Sequence, residues 1–373
     1  MKNTLKIYAY ILLCFIVIPA LPINAYSIDI DNIDEDIKQE LTDIIDDEIK
    51  DSLEEIGITD FSPDEIYNIS FGNISKYFSQ TLKEKASSQV KAFSELVIVI
   101  VICSIFASIF DEYKTSIFNN ICTMAIIISA INLISNSVSA TVSVLDTSGK
   151  FTLSFAPVYM LLISLAGNTA SALTYNTFVV FFAEAISSVI SFGLSDFMGV
   201  YFCLGISFAI NETTNLTRYI SITNKAIGTL FGFAASVFTG FLSIRSILSF
   251  TLDSVSVKGI RFLISSIIPI VGSSISDAYS SLVGSINLIK GSVAFVGIIV
   301  IIIINLPIIA ENLISYISFS MLSYMAECFL SYRVAEILRF LASGIRILLL
   351  LCLFEMFIII ITVGIMLSVK GGT

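Results

Sequence analysis

The stretch 292-SVAFVGIIVIIIINLPIIA-310 holds nineteen residues without one charged side chain, and it decides the class of fold. A transmembrane α-helix needs about 20 consecutive apolar residues to cross the hydrocarbon core of a bilayer. Comparable apolar runs lie near 93–110, 116–143, 151–167, 172–193, 197–211, 226–250, 256–280, 292–310, 312–326 and 345–369. Because several are short or interrupted, the sequence predicts an all-α, polytopic membrane protein with about 7 to 9 transmembrane or re-entrant helices.

Composition supports the membrane class and argues against catalysis. Of the 373 residues, 56% are hydrophobic and 13% are charged, whereas soluble domains carry about 25% charged residues. The sequence has no histidine, which excludes Ser-His and Cys-His catalytic pairs and histidine-ligated zinc or haem. The six cysteines are scattered without a Cys-x-x-Cys spacing, and no GxxxxGK[ST] phosphate-binding motif is present. We therefore expect neither enzymatic activity nor a metal or other cofactor.

The amino-terminal part divides into two segments ahead of the membrane domain. Residues 1–25 have a short positive start, an apolar run and the ending Ile-Asn-Ala, which is the pattern of a signal peptide cleaved after Ala25. Residues 26–92 hold seventeen acidic and six basic side chains, so we predict an acidic, helical and extracytoplasmic segment. Residues 93–373 form the predicted polytopic membrane domain.

One apolar stripe runs along the acidic segment at steps of three and four residues, through Ile33, Ile37, Leu41, Ile45, Ile49, Leu53 and Ile56. This spacing predicts an amphipathic helix whose stripe covers a second helix, a partner protein or another copy of the chain. Its other face bears many carboxylates and few lysines, the opposite of helices that lie on membranes, so we expect it to bind protein. The negative charge also argues against nucleic acid as a partner.

A second unusual segment is 265-SSIIPIVGSSISDAYSSLVGSINLIK-290, where polar and small residues interrupt an apolar region. Pro269 and Gly272 break a helix, and Asp277 at the bilayer centre would cost about 3 kcal/mol. We predict that residues 259–290 form a broken helical hairpin that enters the membrane from one side, with Pro269–Gly272 at its deepest point.

Two interpretations of these interrupted segments stay open. The stretch 152–172, which contains Pro157, shows a similar pattern, and paired interruptions are typical of transporter-like cores. The small residues either pack helices together or line a substrate path or assembly surface. Asp277 and Lys290 either form a buried ion pair or reach separately toward the membrane surface.

Residues 250–310 resemble the most distinctive region of the stage III sporulation protein AE family. The matching elements are Asp253, Lys258, Arg261 and Phe262, then Ile268–Gly272, Ser276–Asp277, Lys290, Gly297 and Leu306–Pro307. The order of signal peptide, exported segment and membrane body extends the resemblance over nearly the whole chain. Many members carry two prolines where this chain has Pro307 alone.

The resemblance implies a membrane core subunit of a channel or secretion-like complex between mother cell and forespore. Its implied location is the mother-cell membrane around the forespore, with the acidic segment in the intermembrane space. The implied partners are other stage III sporulation operon proteins, including a separate ATPase and ring-forming subunits, and a forespore membrane protein. A free-standing secondary transporter is the alternative. The candidate path or assembly residues are Pro157, Asp253, Lys258, Pro269, Gly272, Asp277, Lys290 and Pro307.

Overall fold

The computed structural model describes residues 39, 45, 47–59, 71–109, 115–191, 193–210, 216–267, 272–329 and 332–368. These ranges contain eight helices and no strand, which confirms the all-α prediction. The helices are α1 (Asp47–Ile56), α2 (Phe71–Ile109), α3 (Thr115–Leu165), α4 (Thr169–Ser191), α5 (Leu194–Ile210), α6 (Leu216–Ile267), α7 (Gly272–Phe329) and α8 (Tyr332–Ser368).

Five helices are long and apolar enough to cross a membrane, in agreement with the predicted class. Their candidate spans are Gly72–Phe106, Asn120–Leu165, Leu216–Ile244, Gly284–Cys328 and Val334–Leu367, and two shorter apolar helices cover Thr169–Ala183 and Leu194–Ser207. The helix α7 has 58 residues, so it is about 87 Å long at 1.5 Å per residue. A hydrocarbon core is only about 30 Å thick, so α7 extends well beyond it.

Several apolar runs that the sequence separates are joined in one helix. The runs 116–143 and 151–167 both belong to α3, and 292–310 and 312–326 both belong to α7. In α3 the polar junction between them stays helical, and Asp146 pairs with Lys150 one turn later at 2.6 Å. Such a pair stabilises the helix across its polar residues. The apolar runs 116–143 and 151–167 therefore belong to one helix, although their lengths alone suggest two.

The chain interrupts its helices near Gly167 instead of at Pro157. Pro157 lies inside α3, whereas the helix ends eight residues later at Leu165, and Gly167 follows with φ 84°. The Asn168 amide donates to the Ile163 carbonyl at 3.1 Å, and the Gly167 amide donates to the Ser164 carbonyl at 2.9 Å. A left-handed glycine with these reversed bonds is a common helix ending.

Constant sequence offsets show how the long helices align. Lys85 pairs with Glu311, Gln89 accepts a hydrogen bond from Ser315, and Phe93 packs on Phe319 with ring centroids 4.7 Å apart. All three pairs differ by 226 positions, so α2 runs parallel to α7.

The helix α3 runs antiparallel to α7. Asn312 bonds to Thr141, Asn305 bonds to Ser148, and Gly297 lies against the ring of Phe155. From the first contact to the third, the residue number increases on α3 and decreases on α7, as expected for antiparallel helices. The bundle therefore has a fixed register over about four turns.

Buried apolar side chains form two separate clusters along the bundle. Core 1 combines α1 with 151–163 of α3, 172–182 of α4, 293–304 of α7 and 358–366 of α8. Core 2 combines 93–103 of α2, 122–145 of α3, 194–202 of α5, 319–326 of α7 and 334–348 of α8. The helices α3, α7 and α8 each contribute to both clusters, so they pass from one core to the other.

The acidic helix α1 packs on the bundle itself. Ile45, Leu53 and Ile56 of the predicted stripe are buried in core 1, and Ile49 packs against it half-buried. The Asn73 amide of α2 donates to the Ile56 carbonyl at 3.3 Å, which ties the end of α1 to α2. The stripe prediction is confirmed for these positions, while Ile33, Ile37 and Leu41 lie outside the described residues.

The predicted domain limits and hairpin remain predictions. The signal peptide lies outside the described residues, and α2 runs continuously through the 92/93 boundary. The helix α6 ends at Ile267 and α7 begins at Gly272, and these two helices contact each other. Pro269 lies outside the described residues, so the depth of the proposed hairpin is untested.

Candidate functional site

Six buried polar side chains lie where α3, α7 and α8 pass from core 1 to core 2. We call this set the polar layer, and it consists of Thr141, Ser148, Asn305, Asn312, Cys352 and Glu355. None of the six exposes more than 1% of its surface. Polar groups buried this deeply need internal partners, because no water replaces the bonds they lose.

Hydrogen bonds arrange the polar layer in two tiers. In the first, the Asn305 amide donates to the Ser148 hydroxyl at 3.2 Å and to the Ile301 carbonyl at 3.1 Å. In the second, the Asn312 amide donates to the Thr141 hydroxyl at 3.1 Å. The two asparagines are seven residues apart, so the tiers are separated by about 10 Å along α7.

Residues of α8 complete both tiers. Glu355 lies beside Ser148 and Asn305 in the first tier, and the Cys352 thiol lies beside Thr141 in the second. Neither oxygen of the Glu355 carboxyl has hydrogen-bond geometry with any described residue. The side-chain oxygens of Asn305 and Asn312 also accept no hydrogen bond there.

This arrangement leaves acceptor oxygens without donors in the middle of an apolar bundle. A buried polar atom that lacks its partner costs about 1 to 3 kcal/mol, and a charged one costs more. The asparagine amides are already used as donors within each tier. A buried carboxyl within a membrane span is rare and usually marks an ion or proton pathway. The first tier, with Glu355 at its centre, is therefore the candidate functional site.

Charged residues surround the polar layer on its outer side. Lys85 and Glu311 pair at 3.5 Å, with 39% and 18% of their side chains exposed. The Ser315 hydroxyl donates to Gln89 one turn further along both helices. On α3, the exposed pair of Asp146 and Lys150 brackets Ser148. The polar layer is therefore continuous with hydrophilic surface on α2 and α3.

Pro307 is the predicted site residue that the structure places closest to this site. It lies inside α7, two residues after Asn305, and supplies no backbone amide hydrogen. The Ile303 carbonyl, four residues earlier, therefore lacks its normal helical donor. Pro307 thus adds a free backbone oxygen next to the first tier.

The other predicted site residues do not come together with Glu355. Pro157 lies exposed on α3, and Lys290 is buried near core 1, fifteen residues or about 22 Å along α7 from Asn305. The residues Asp253, Lys258, Gly272 and Asp277 lie in α6 or α7, but their side chains are not among those described. Their roles as path or assembly residues stay predictions.

The sequence analysis missed Glu355, although a signal for it exists. The apolar run 345–369 contains a single carboxylate, and Glu355 lies near its middle. The runs around Asn305 and Asn312 likewise contain isolated amides within aliphatic stretches. An isolated ionisable residue in an apolar span is a functional candidate by default.

Comparisons with known proteins agree with the sequence resemblance. The family model described as Stage III sporulation protein AE matches residues 57–370. The chain is 23% identical over 294 residues to the Stage III sporulation protein AE of Bacillus subtilis (strain 168), covering 75% of this chain and 70% of that protein. No solved structure matches the chain.

Proposed function

Because the chain belongs to the stage III sporulation protein AE family and so takes part in sporulation, we propose that it is the membrane core subunit of a channel or secretion-like complex between mother cell and forespore. In this proposal it lies in the mother-cell membrane around the forespore, and α1 faces the intermembrane space. Its partners are other stage III sporulation operon proteins, among them a separate ATPase and ring-forming subunits, and a forespore membrane protein.

One observation carries the assembly role: α1 is held on the bundle with its carboxylates outward. Leu53 and Ile56 are buried in core 1, whereas Asp51, Glu54 and Glu55 are exposed. The bundle thus presents an acidic surface along α1. Fixed charges of one sign steer and orient a partner of opposite charge. A basic surface on a ring-forming subunit would fit this position.

The chain has no motif for catalysis, so we propose that energy for transport comes from the separate ATPase. A free-standing secondary transporter remains the second candidate, and the buried Glu355 favours it, since such residues commonly bind coupling ions. Reconstitution distinguishes the two. Ion-driven flux by the purified chain alone in liposomes would support the transporter, whereas flux that requires the partners would support the complex.

The docking surface can be tested by removing two of its charges. We expect Asp51→Asn combined with Glu55→Gln to weaken copurification with the operon partners about tenfold, the effect of losing roughly 1.4 kcal/mol at an interface. The yield of heat-resistant spores should fall in parallel. Both side chains are exposed, so the amount of folded protein in the membrane should not change.

The matched control replaces Glu84 and Glu95 with glutamine. Both are exposed on α2, and the double exchange removes the same amount of charge. This control should leave copurification and spore yield unchanged. Equal losses in the two double variants would contradict docking through α1, because they would reflect total charge instead of a particular surface.

A further inference from the structure

We propose that Glu355, Asn305 and Ser148 together bind one monovalent cation, a proton or a sodium ion, inside the helix bundle. The three side chains come from α8, α7 and α3, and each lies within a candidate membrane span. This inference does not depend on the assembly role, because it rests on the interior of the bundle and not on α1.

The unpartnered oxygens point to a ligand. Both carboxyl oxygens of Glu355 and the amide oxygen of Asn305 are fully buried and accept no hydrogen bond of normal geometry from the described residues, although the Ser148 and Asn305 side chains lie beside the Glu355 carboxyl. Ser148 adds a hydroxyl, and Pro307 frees the Ile303 carbonyl nearby. These are oxygen donors of the kind that hard cations prefer. A proton on Glu355 would also supply the missing donor, since a protonated carboxyl can donate to an amide oxygen.

The charge of the site fits a single positive charge. Glu355 supplies one carboxylate, and the neighbouring ligands are neutral. Within the described ranges, no cluster of three or more cysteine, aspartate or glutamate side chains is placed to hold a metal ion. A divalent ion would therefore be poorly neutralised here, whereas a proton or sodium ion balances the one carboxylate.

No described basic side chain neutralises Glu355 from the helices that pack against α8. The charged or ionisable groups to consider are Cys352 and Arg346 on α8 itself, Asp146 and Lys150 on α3, Lys290 and Glu311 on α7, Asp196 on α5, and Arg218 and Lys225 on α6. Lys290 lies about 22 Å along α7 from Asn305, and the side chains of Arg346 and Arg218 are exposed. Asp146 and Lys150 pair with each other on the exposed face of α3, and Glu311 pairs with Lys85. The described side chains of α4 carry no charge.

The second tier lies between the first tier and partly exposed charged side chains. The Lys85–Glu311 pair is partly exposed, and Asn312 follows Glu311 directly on α7. Asn312 bonds to Thr141 and keeps a free side-chain oxygen. From there the first tier is about 10 Å further along α7. In this proposal the cation enters from this side of the bundle, past Asn312.

The test measures the thermal unfolding midpoint of the full chain in lipid nanodiscs from roughly pH 5 to pH 9. An ionised carboxylate without a counter-ion is costly in an apolar core, so the midpoint in choline chloride should fall as the pH rises. If sodium binds, sodium chloride should restore about 2 to 5 °C at high pH. If the site takes only protons, sodium should have no effect while the pH dependence remains.

The variant Glu355→Gln should remove the sodium dependence and make the fall of the midpoint with rising pH smaller, because only the contribution of Glu355 is lost. The control Glu95→Gln makes the same exchange at an exposed position of α2 and should behave as the unmodified chain does. Identical pH and sodium responses in the unmodified chain and in Glu355→Gln would overturn the proposal.

A second measurement keeps the proposal testable if Glu355→Gln does not fold. Dicyclohexylcarbodiimide reacts with protonated carboxyls in apolar surroundings, and mass spectrometry can locate the adduct. We expect modification of Glu355 in the unmodified chain that decreases as pH rises, and also with added sodium if sodium binds. Reaction at Glu355 that responds to neither pH nor sodium, or no reaction under any condition, would count against a cation site.

Discussion

Core 2 and core 1 both contain residues of α3, α6, α7 and α8, but they differ in how they are closed. In core 2, Gly205 and Gly344 admit the rings of Phe340 and Phe202 against the helix backbone. The Tyr201 hydroxyl donates to Ser343, which donates to Asn224 at 2.9 Å, and so joins α5, α8 and α6. Core 2 is therefore fixed by close contacts and directional bonds.

Core 1 has a similar close contact, between Gly297 and the ring of Phe155, but it also has an open side. Phe151, Phe155 and Tyr159 stack along α3 with centroids 5.5 and 5.6 Å apart. Between α4, α6 and α8, however, a groove of about 700 Å³ remains, and phenylalanine supplies seven of its lining residues. Substitutions in this groove should therefore cost less than substitutions at the close contacts of core 2.

The largest effect should come from filling a close contact in core 2. In Gly205→Leu, the new Cβ would lie 1.9 Å from a ring carbon of Phe340, and that ring is fully buried against Tyr201. At that distance the Phe340 ring has to leave its site. The overpacking cost of about 1 to 3 kcal/mol therefore adds to the loss of the Phe340 contacts, which is about 3 to 5 kcal/mol. We expect the lowest unfolding midpoint and the lowest folded yield for this variant.

The control for this prediction is Gly240→Leu, the same exchange on α6. Apart from the adjoining residues and backbone of α6, no heavy atom in the described part of the chain lies within 4 Å of the Cβ that it would add. It should fold with nearly normal yield. Comparable losses from both variants would show that any bulky residue is harmful, and the contrast between the cores would fail.

A smaller and local effect should follow from truncating the α1 stripe in core 1. Leu53 is 1% exposed, and a buried leucine replaced by alanine typically costs about 2 to 5 kcal/mol. Because α1 packs on the edge of the bundle, Leu53→Ala should release α1 without unfolding core 2. Limited proteolysis should cut more rapidly within 47–59, while the unfolding midpoint of the bundle stays the same.

The neighbouring variant Glu54→Ala serves as the control, since Glu54 is exposed on the same helix. Its proteolysis rate should match that of the unmodified chain. A large drop in the unfolding midpoint of the whole bundle in Leu53→Ala would show that core 1 and core 2 unfold as one unit, and local release of α1 would be contradicted.

The smallest effect should come from the groove. Phe233 lines it with 68% of its surface exposed, so Phe233→Ala should change the free energy of unfolding by less than about 0.5 kcal/mol. Phe340→Ala in core 2 is the comparison, with an expected cost of about 3 to 5 kcal/mol. Unfolding of both variants in nanodiscs would measure the difference, and similar losses would mean that the groove is as tightly packed as core 2.

The helical class and the burial of α1 were predictable because each depends on local sequence. An uninterrupted apolar run of sufficient length indicates a membrane span directly. The steps of four, four and three residues between Ile45, Ile49, Leu53 and Ile56 indicate one buried face. Helix continuity was less predictable. Pro157 lies inside α3 while Gly167 ends it, because a proline on an exposed face removes one backbone bond, whereas a left-handed glycine redirects the chain.

The candidate site could not be assembled from the sequence, although Glu355 could have been noticed there. Ser148 and Asn305 are 157 positions apart, and Glu355 lies on a third helix. Which turns of α3, α7 and α8 meet depends on how side chains such as Phe155 and Gly297 fit across the interface. The alignment of one helix along another is set by side-chain packing, and it cannot be deduced from the hydrophobic periodicity of each helix alone.

The offset of 226 positions between α2 and α7 has a consequence for synthesis. Lys85, Gln89 and Phe93 leave the ribosome long before Glu311, Ser315 and Phe319 exist. At roughly 5 to 20 residues per second, the delay is about 10 to 45 s. During this interval α7 has not been made, so the face of α2 that will contact it must be covered by water or by the insertion machinery until α7 is synthesised.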